Sequence, residues 1–279
     1  MHVDQVWRYP VKSMHGSTVD AMELAPDGFV GDRQWVVRDE ERAGLRSGRQ
    51  LPALARCRAE YVADTPGAVR ITLPDGATVT TDDAGVNATL SAAFGRPVTI
   101  WSRRPASDLA HYRSGAPEST DLMTELRAIF AREADEPLPD FSVFPPELGE
   151  FSSPPGQYYD CWPLMIMSTS ALAALRAAVP DSVVDVRRFR PSLVVHTGAA
   201  VGHPEFAWRG RRARLGDAEI EFLAPCPRCA MITRELGPDV PQDRAILRHV
   251  VRDLDQAVGI YAKVVRPGRI SVGDALELV

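Results

Sequence analysis

Of the four cysteines in the chain, Cys226 and Cys229 stand three residues apart, in Ala224-Pro225-Cys226-Pro227-Arg228-Cys229-Ala230-Met231-Ile232-Thr233. Thiols at that spacing can ligate a metal, exchange disulfides or simply fill space. The preceding Glu219-Ile220-Glu221-Phe222-Leu223 alternates like a strand, which puts the pair in a tight loop at a strand end. Pro225 and Pro227 fix φ and remove two backbone donors, so the loop is stiff. Arg228 is adjacent to Cys229, and a neighbouring cation favours the thiolate, the form that binds metal.

Other uses of the pair stand beside metal ligation. A structural zinc site needs four ligands, and Cys57 and Cys161 lie apart with no second close pair. A thioredoxin-like dithiol wants its first cysteine at a helix N-terminus in a βαβ unit, whereas β-prone Met231-Ile232-Thr233 follows here. Two small, half-buried loop cysteines are the third possibility. The pair by itself leaves these open.

Cations and hydroxyls sit at comparable turns. Lys12 is one of two lysines among 32 basic residues, and it falls beside Ser13 just after a first strand, His2 to Tyr9. An ammonium there is either solvated or a point charge for an anion. Gly31-Asp32-Arg33 leads into the strand Gln34-Trp35-Val36-Val37, where a guanidinium suits phosphate or pairs with Asp32 or Asp39. Val186-Arg187-Arg188-Phe189-Arg190-Pro191 precedes the strand Ser192 to His196. The buried-strand candidate Trp162 to Met167 ends at Ser168-Thr169-Ser170, ahead of a helix over Ala171 to Val179. Those hydroxyls cap the helix, whose positive end also favours a phosphate.

Pro-Cys-x-Arg-Cys, read together with Tyr9-Pro10-Val11-Lys12-Ser13, Gly31-Asp32-Arg33 and Arg188-Phe189-Arg190-Pro191, resembles the MOSC family of molybdenum-cofactor proteins. The likeness is greatest to the branch that includes the amidoxime-reducing component and its bacterial relatives. It implies an α+β, predominantly β fold: an N-terminal β-barrel-type region (1–115) followed by a β-barrel-type MOSC domain (116–279). It implies the molybdenum cofactor, with Cys229 as the metal ligand and catalytic residue. Lys12, Ser13, Arg33, Ser168, Thr169, Ser170, Arg190, Arg228 and Tyr261 are the cofactor-binding residues that the resemblance implies, and Arg187 and Arg188 are structural. Ser192 departs from the Asn usual after this proline, which removes the amide contacts expected there.

The reaction the resemblance implies is oxygen-atom removal from N-hydroxylated small molecules. The alternative is a molybdopterin or sulfur carrier without turnover, because related MOSC domains end molybdenum-cofactor sulfurases. Reduction of an N–O bond needs two electrons. One close cysteine pair cannot hold a ferredoxin-type cluster, and no G-x-G-x-x-G follows a strand, so a separate electron-donor protein is expected.

Composition bounds the remainder. A chain of 279 residues with 45% hydrophobic content supports one large domain or two ordinary ones. Net charge of −5 argues against a nucleic-acid partner, and no apolar run reaches the length of a membrane span. Uneven cysteines and a strand-like start read as cytoplasmic. Short β runs between Tyr61 and Thr80, a helix within Asp82 to Phe94 and a helix over Leu122 to Arg132 are expected. A Pro-rich loop over 137–155 marks the regional boundary. Later, Phe206 to Trp208 and Ala213 to Gly216 read as β, Asp243 to Asp253 as helix, and Gly259 to Val265 with Gly268 to Asp274 as a closing β pair.

Overall fold

The computed structural model describes residues 1–65 and 67–279. The chain opens with β1 (His2–Arg8), β2 (Ser17–Val19), β3 (Ala21–Ala25), β4 (Gly28–Phe29), β5 (Trp35–Asp39) and β6 (Gly44–Leu45). A meander of β7 (Arg58–Tyr61), β8 (Val69–Thr72) and β9 (Thr78–Thr80) leads into α1 (Val86–Phe94) and β10 (Val98–Ser102). Then come α2 (Leu109–Tyr112) and α3 (Leu122–Phe130), with Asp121 capping α3 by accepting from the Thr124 amide at 2.6 Å. The Pro-rich stretch holds 3-10 turns at Phe141–Val143 and Pro146–Gly149. The remainder is β11 (Leu164–Ser168), α4 (Thr169–Ala178), β12 (Leu193–His196), β13 (Arg212–Leu215), β14 (Ala218–Pro227), α5 (Ala245–Asp253), β15 (Ala257–Arg266), β16 (Gly268–Ser271) and β17 (Leu276–Leu278).

Eight strands make the main sheet, in the order β17-β13-β14-β15-β11-β12-β1-β2. It is antiparallel except for β11 and β12, which run parallel with α4 as the crossover between them. Met1 to Val3 also hydrogen-bond to Gly273 to Leu276, so the sheet curls towards its own far end. Among the described residues its edges, β2 and β17, do not pair, and the barrel-type curvature stops short of closure.

Two links bind the early and late parts of the chain. β1 lies against β12, with His2 opposite His196, and β3 pairs with β16, Ala21 opposite Ser271. One core layer fills the concavity from β1, β3, β14, β15 and β16; a second lies on the other face under α4 and α5. The third core is local to the early region, where α1 packs with the meander and β10. No helix among the described residues is long and apolar enough to cross a membrane.

One expected pairing and one expected β segment differ. β15 and β16 do not pair with one another: β15 lies between β14 and β11, while Gly268 diverts β16 across to β3. Phe206 to Trp208 falls in a 3-10 turn, Pro204–Trp208, because Pro204 sets a helical φ at its start. His111 and Tyr112 are buried.

Arg188 is the largest fully buried side chain, at 1% exposure. It donates to the carbonyls of Val183, Ile232, Arg234 and Pro241, tying the turn before β12 to the segment after the cysteine loop. The Ile232 carbonyl is buried, and the clamp gives all four a charged donor. Arg188→Met is therefore expected to cost about 3 kcal/mol or more of folding stability, read by denaturant titration. A loss under about 1 kcal/mol would show that the clamp is dispensable.

Candidate functional site

The cysteine loop is the end of β14. Pro225 sits opposite Ile260 and Pro227 opposite Ala257, and the register slips on the way because prolines cannot donate to the ladder. Cys226 is therefore still on the strand and buried. Cys229 has left it and stands half-exposed just before the 3-10 turn Ala230–Thr233. The Arg228 amide donates to the Gln256 carbonyl at 2.8 Å, and Arg132 donates to the Arg228 carbonyl and to the Gln256 side chain. The cysteine loop is held from both sides.

Arg228 itself works in the wall. Its guanidinium donates to the carbonyls of Val258 and Phe189 and lies 5.4 Å from the Phe189 ring centroid. Its donors are committed to the protein and fix the loop, while the side chain also lines the cleft described next. Burial pushes the Cys226 thiol up, against the opposing pull of Arg228 and a hydrogen bond with Tyr261. Cys57 is pushed up to about 12 by burial, and burial also raises Cys161. Among the described residues no three His, Cys, Asp or Glu side chains converge as a metal-ligand cluster, which leaves the zinc alternative without a ligand set.

Beside the loop lies a cleft of about 90 Å³, lined by Lys12, Ser13, Arg33, Arg190, Ser192, Cys226, Cys229 and Tyr261, with Tyr158 to Pro163 on the remaining side. Three short loops build its cationic floor. The Tyr9 amide donates to Asp32 at 2.7 Å, the Arg33 amide to the Tyr9 carbonyl at 2.7 Å, and the Trp35 amide to the Pro10 carbonyl at 3.0 Å. Arg33 reaches the Arg190 carbonyl at 3.4 Å and pairs with buried Asp32. Asp39, the other partner considered for Arg33, instead takes Arg46 and Arg96.

The backbone at this floor is strained. Ser13, Arg33 and Arg190 all have left-handed conformations, with φ of 68°, 47° and 54°. That region costs a non-glycine residue roughly 1–2 kcal/mol. Three of the seven such residues in the described chain converge here, the pattern expected where a side chain must be aimed at something.

The guanidinium carbons of Arg33 and Arg190 lie 4.9 and 4.3 Å from the Tyr9 ring centroid. Burial and repulsion from Arg33 lower Arg190 to about 10. Arg190 donates to the Met14 carbonyl, yet its Nη2 is buried without an acceptor, and so is Trp162 Nε1 across the cleft. Unmatched donors and crowded cations in a chain of net charge −5 call for an anionic, acceptor-rich ligand.

Lys12 is more constrained than its sequence position suggests. It donates to Ser153 Oγ at 3.0 Å and the Tyr158 carbonyl at 2.9 Å, and pairs with Asp160 at 2.6 Å. Asp160, half-exposed, also takes Arg49 at 2.9 Å. Burial raises the Asp160 carboxyl, but Arg49 and Lys12 outweigh it and keep it below the usual range. Ser192 uses its hydroxyl to accept from the Met165 amide at 3.3 Å, a backbone tie between β11 and the turn before β12.

The structure does not bring Ser168, Thr169 and Ser170 to this cleft. They stand at the opposite end of β11 from Pro163 and Met165, which line it. Ser168 caps α4 through the Ala171 amide at 3.0 Å and donates to Glu205 at 2.6 Å; Ser170 bonds Ser168 and Thr197. Fully buried Glu205 already takes the Ser168 hydroxyl at that helix end. Sequence reading missed Asp160, Trp162 and Arg49. The run Tyr158-Tyr159-Asp160-Cys161-Trp162, dense in polar-tipped side chains directly after the Pro-rich loop, was the available signal.

A second, larger trough of about 680 Å³ shares Lys12, Asp160, Cys161, Pro227, Cys229 and Tyr261 with the cleft. Cys229 therefore stands where a small cleft lined by Lys12, Arg33 and Arg190 meets a larger, more open trough.

Comparison with known proteins is consistent along the chain. The MOSC N-terminal beta barrel domain matches residues 1–105, and the MOSC domain matches residues 155–277. Mitochondrial amidoxime reducing component 2 of Bos taurus is 27% identical over 304 residues, spanning 98% of this chain and 81% of that protein. Mitochondrial amidoxime-reducing component 1 of Homo sapiens is 25% identical over 307 residues, spanning 99% and 82%. The crystal structure of the YUAD protein from Bacillus subtilis aligns over 99% of this chain and 93% of that one, at 12% identity and a TM-score of 0.43.

A pH dependence follows from Lys12. Burial, with help from Arg49, lowers it to about 8 despite the counter-pull of Asp160. A bound anion favours the ammonium, so affinity is full below that pH and falls as Lys12 deprotonates above it. Sulfate, which does not titrate in this range, is expected to bind about tenfold more weakly at pH 9 than at pH 7, measured by calorimetry on a Cys229→Ser background. Lys12→Met should bind weakly at both. Equal affinity at the two pH values would remove Lys12 from the anion site.

Proposed function

This chain is a MOSC-domain protein, and from that premise we propose that it binds the molybdenum cofactor at the cationic cleft and reduces N-hydroxylated small molecules. The observation that carries the reading is the position of Cys229, a half-exposed thiol shared by an anion-seeking cleft and a substrate-sized trough. Relatives named for amidoxime reduction, aligned over nearly the whole chain, support the reaction class.

The residues present suit such a group. Arg190 Nη2 and Trp162 Nε1 are donors awaiting acceptors, which a phosphorylated pterin supplies in number. Arg33 and Arg190 hold the phosphate, with Ser13 beside them; Lys12 adds charge from behind its own hydrogen bonds. Cys229 gives the thiolate, and Tyr261 borders both spaces. The cofactor, when bound, supplies two-electron oxygen-atom-transfer chemistry at its metal. This chain's own part is to bind, orient and exclude: the loop clamps at Arg132 and Arg228 keep the Cys229 sulfur fixed, and buried Cys226 stays a thiol.

Removing oxygen from R–NH–OH to give R–NH2 and water consumes two electrons and two protons. The chain's close cysteine pair is committed to the site, and we assign electron delivery to a separate donor protein docking near the cysteine loop. NADPH by itself is then expected to support no turnover; steady reduction with NADPH and pure protein would overturn that assignment.

The test of the reading is a pair of variants in cofactor-loaded protein with a chemical electron donor and an amidoxime substrate. Cys229→Ala is expected to abolish reduction while retaining much of the pterin, because the phosphate contacts remain. Cys226→Ala retains activity within about tenfold of wild type. Matching losses in the two variants would reject Cys229 as the ligand, and stoichiometric cofactor binding without turnover in wild type would favour a carrier instead.

A further inference from the structure

The larger trough has a wall that the reaction does not require. On one side α3 turns Leu122, Leu126, Ile129 and Phe130 towards it; on the other, the Pro-rich segment contributes Phe141 and Phe144. The aromatic rings form a continuous row, Phe130 to Phe141 at 5.7 Å and Phe141 to Phe144 at 6.1 Å between centroids. Leu122 is 68% exposed and Phe141 44%, although most of the large hydrophobic side chains of the chain are buried. Exposed apolar surface gathered into one concavity, with volume in the range of small-molecule sites, marks a ligand rather than chance.

The polarity of the trough is graded. Cys229, Lys12, Arg49 and Asp160 line it where it meets the cleft, whereas α3 and the Pro-rich segment give it mainly apolar side chains, with Glu125 the acidic exception on α3. We propose that this trough is the substrate's tail-binding site, and that the preferred substrates carry an extended alkyl or aryl body behind the N–O head. The head lies at Cys229 and the body runs along α3 between Leu126 and Phe144. A fully polar N-hydroxylated compound would leave the trough wetted and gain nothing from it. Continuity with Cys229 selects a small molecule as the occupant.

This inference rests on the reductase reading, and the experiment separates the two. A series of straight-chain amidoximes from two to ten carbons is assayed with cofactor-loaded protein. The matching primary amides, neutral and not reducible, are titrated by calorimetry in parallel. The expected result is a rise in kcat/KM of about threefold per added methylene up to a plateau, with the same trend in amide affinity. Leu126→Ser, and separately Leu122→Ser at the exposed rim, should each lower the ratio of kcat/KM between the longest and shortest substrates. Amides that bind with chain-length dependence while no amidoxime is reduced would uphold the trough and reject the reductase reading. Reduction and amide binding that ignore chain length would overturn the tail site and leave the reductase reading standing. If neither reduction nor amide binding occurs, both fall.

Discussion

The structure depends on two guanidinium groups being held close together out of water. Arg33 and Arg190 share the ring of Tyr9, and buried Asp32 pairs with Arg33. Like charges so placed repel, and each is desolvated; the arrangement persists because neighbouring loops leave the backbone no alternative. The Tyr9 amide on Asp32, the Arg33 amide on Tyr9 and the Arg33 side chain on the Arg190 carbonyl close a circuit through β1, the entry to β5 and the turn before β12. Left-handed backbone at Ser13, Arg33 and Arg190 is the conformational expense of that circuit. A bound anion would relieve that repulsion.

Much of this was legible only through the resemblance that several short runs carry together. Lys12, Ser13, Arg33, Arg190, Cys226 and Cys229 lie in short runs where unusual residues sit against strand ends, and the structure brings all of them to one cleft. Such runs report local geometry, which adjacent residues set. The capping expected at Ser168 to Ser170 is local and is present, whereas Glu205, which takes the Ser168 hydroxyl, comes from 37 residues away. Nothing near Arg228 in sequence identifies the Val258 and Phe189 carbonyls as its acceptors. Strand partnership failed in the same way at β16, whose mate β3 lies near the other end of the chain.

The two cavities divide labour by polarity. The cleft is small, cationic and cross-braced by hydrogen bonds, suited to a group that stays. The trough is roomy and apolar on its outer walls, suited to molecules that come and go. Gly259 lets them meet: it adopts φ of +73° where a Cβ would approach Met165 Sδ to 2.7 Å and the Ile166 carbonyl to 2.8 Å, so β15 and β11 pack closely behind Tyr261. Without that close approach the tyrosine that borders both spaces would shift with its strand.

The pairing of β1 with β12 has a consequence in time. His2 emerges from the ribosome long before His196, its partner, and Ala21 waits still longer for Ser271. At the usual pace of synthesis the gap is roughly ten to forty seconds. Until then β1 and β3 have unpaired edges, and Arg33 lacks the Arg190 carbonyl that completes its surroundings. The local core of the early region can condense first, because its strands and α1 are neighbours in sequence. While those partners are missing, the cationic floor that Arg33 and Arg190 build together is incomplete.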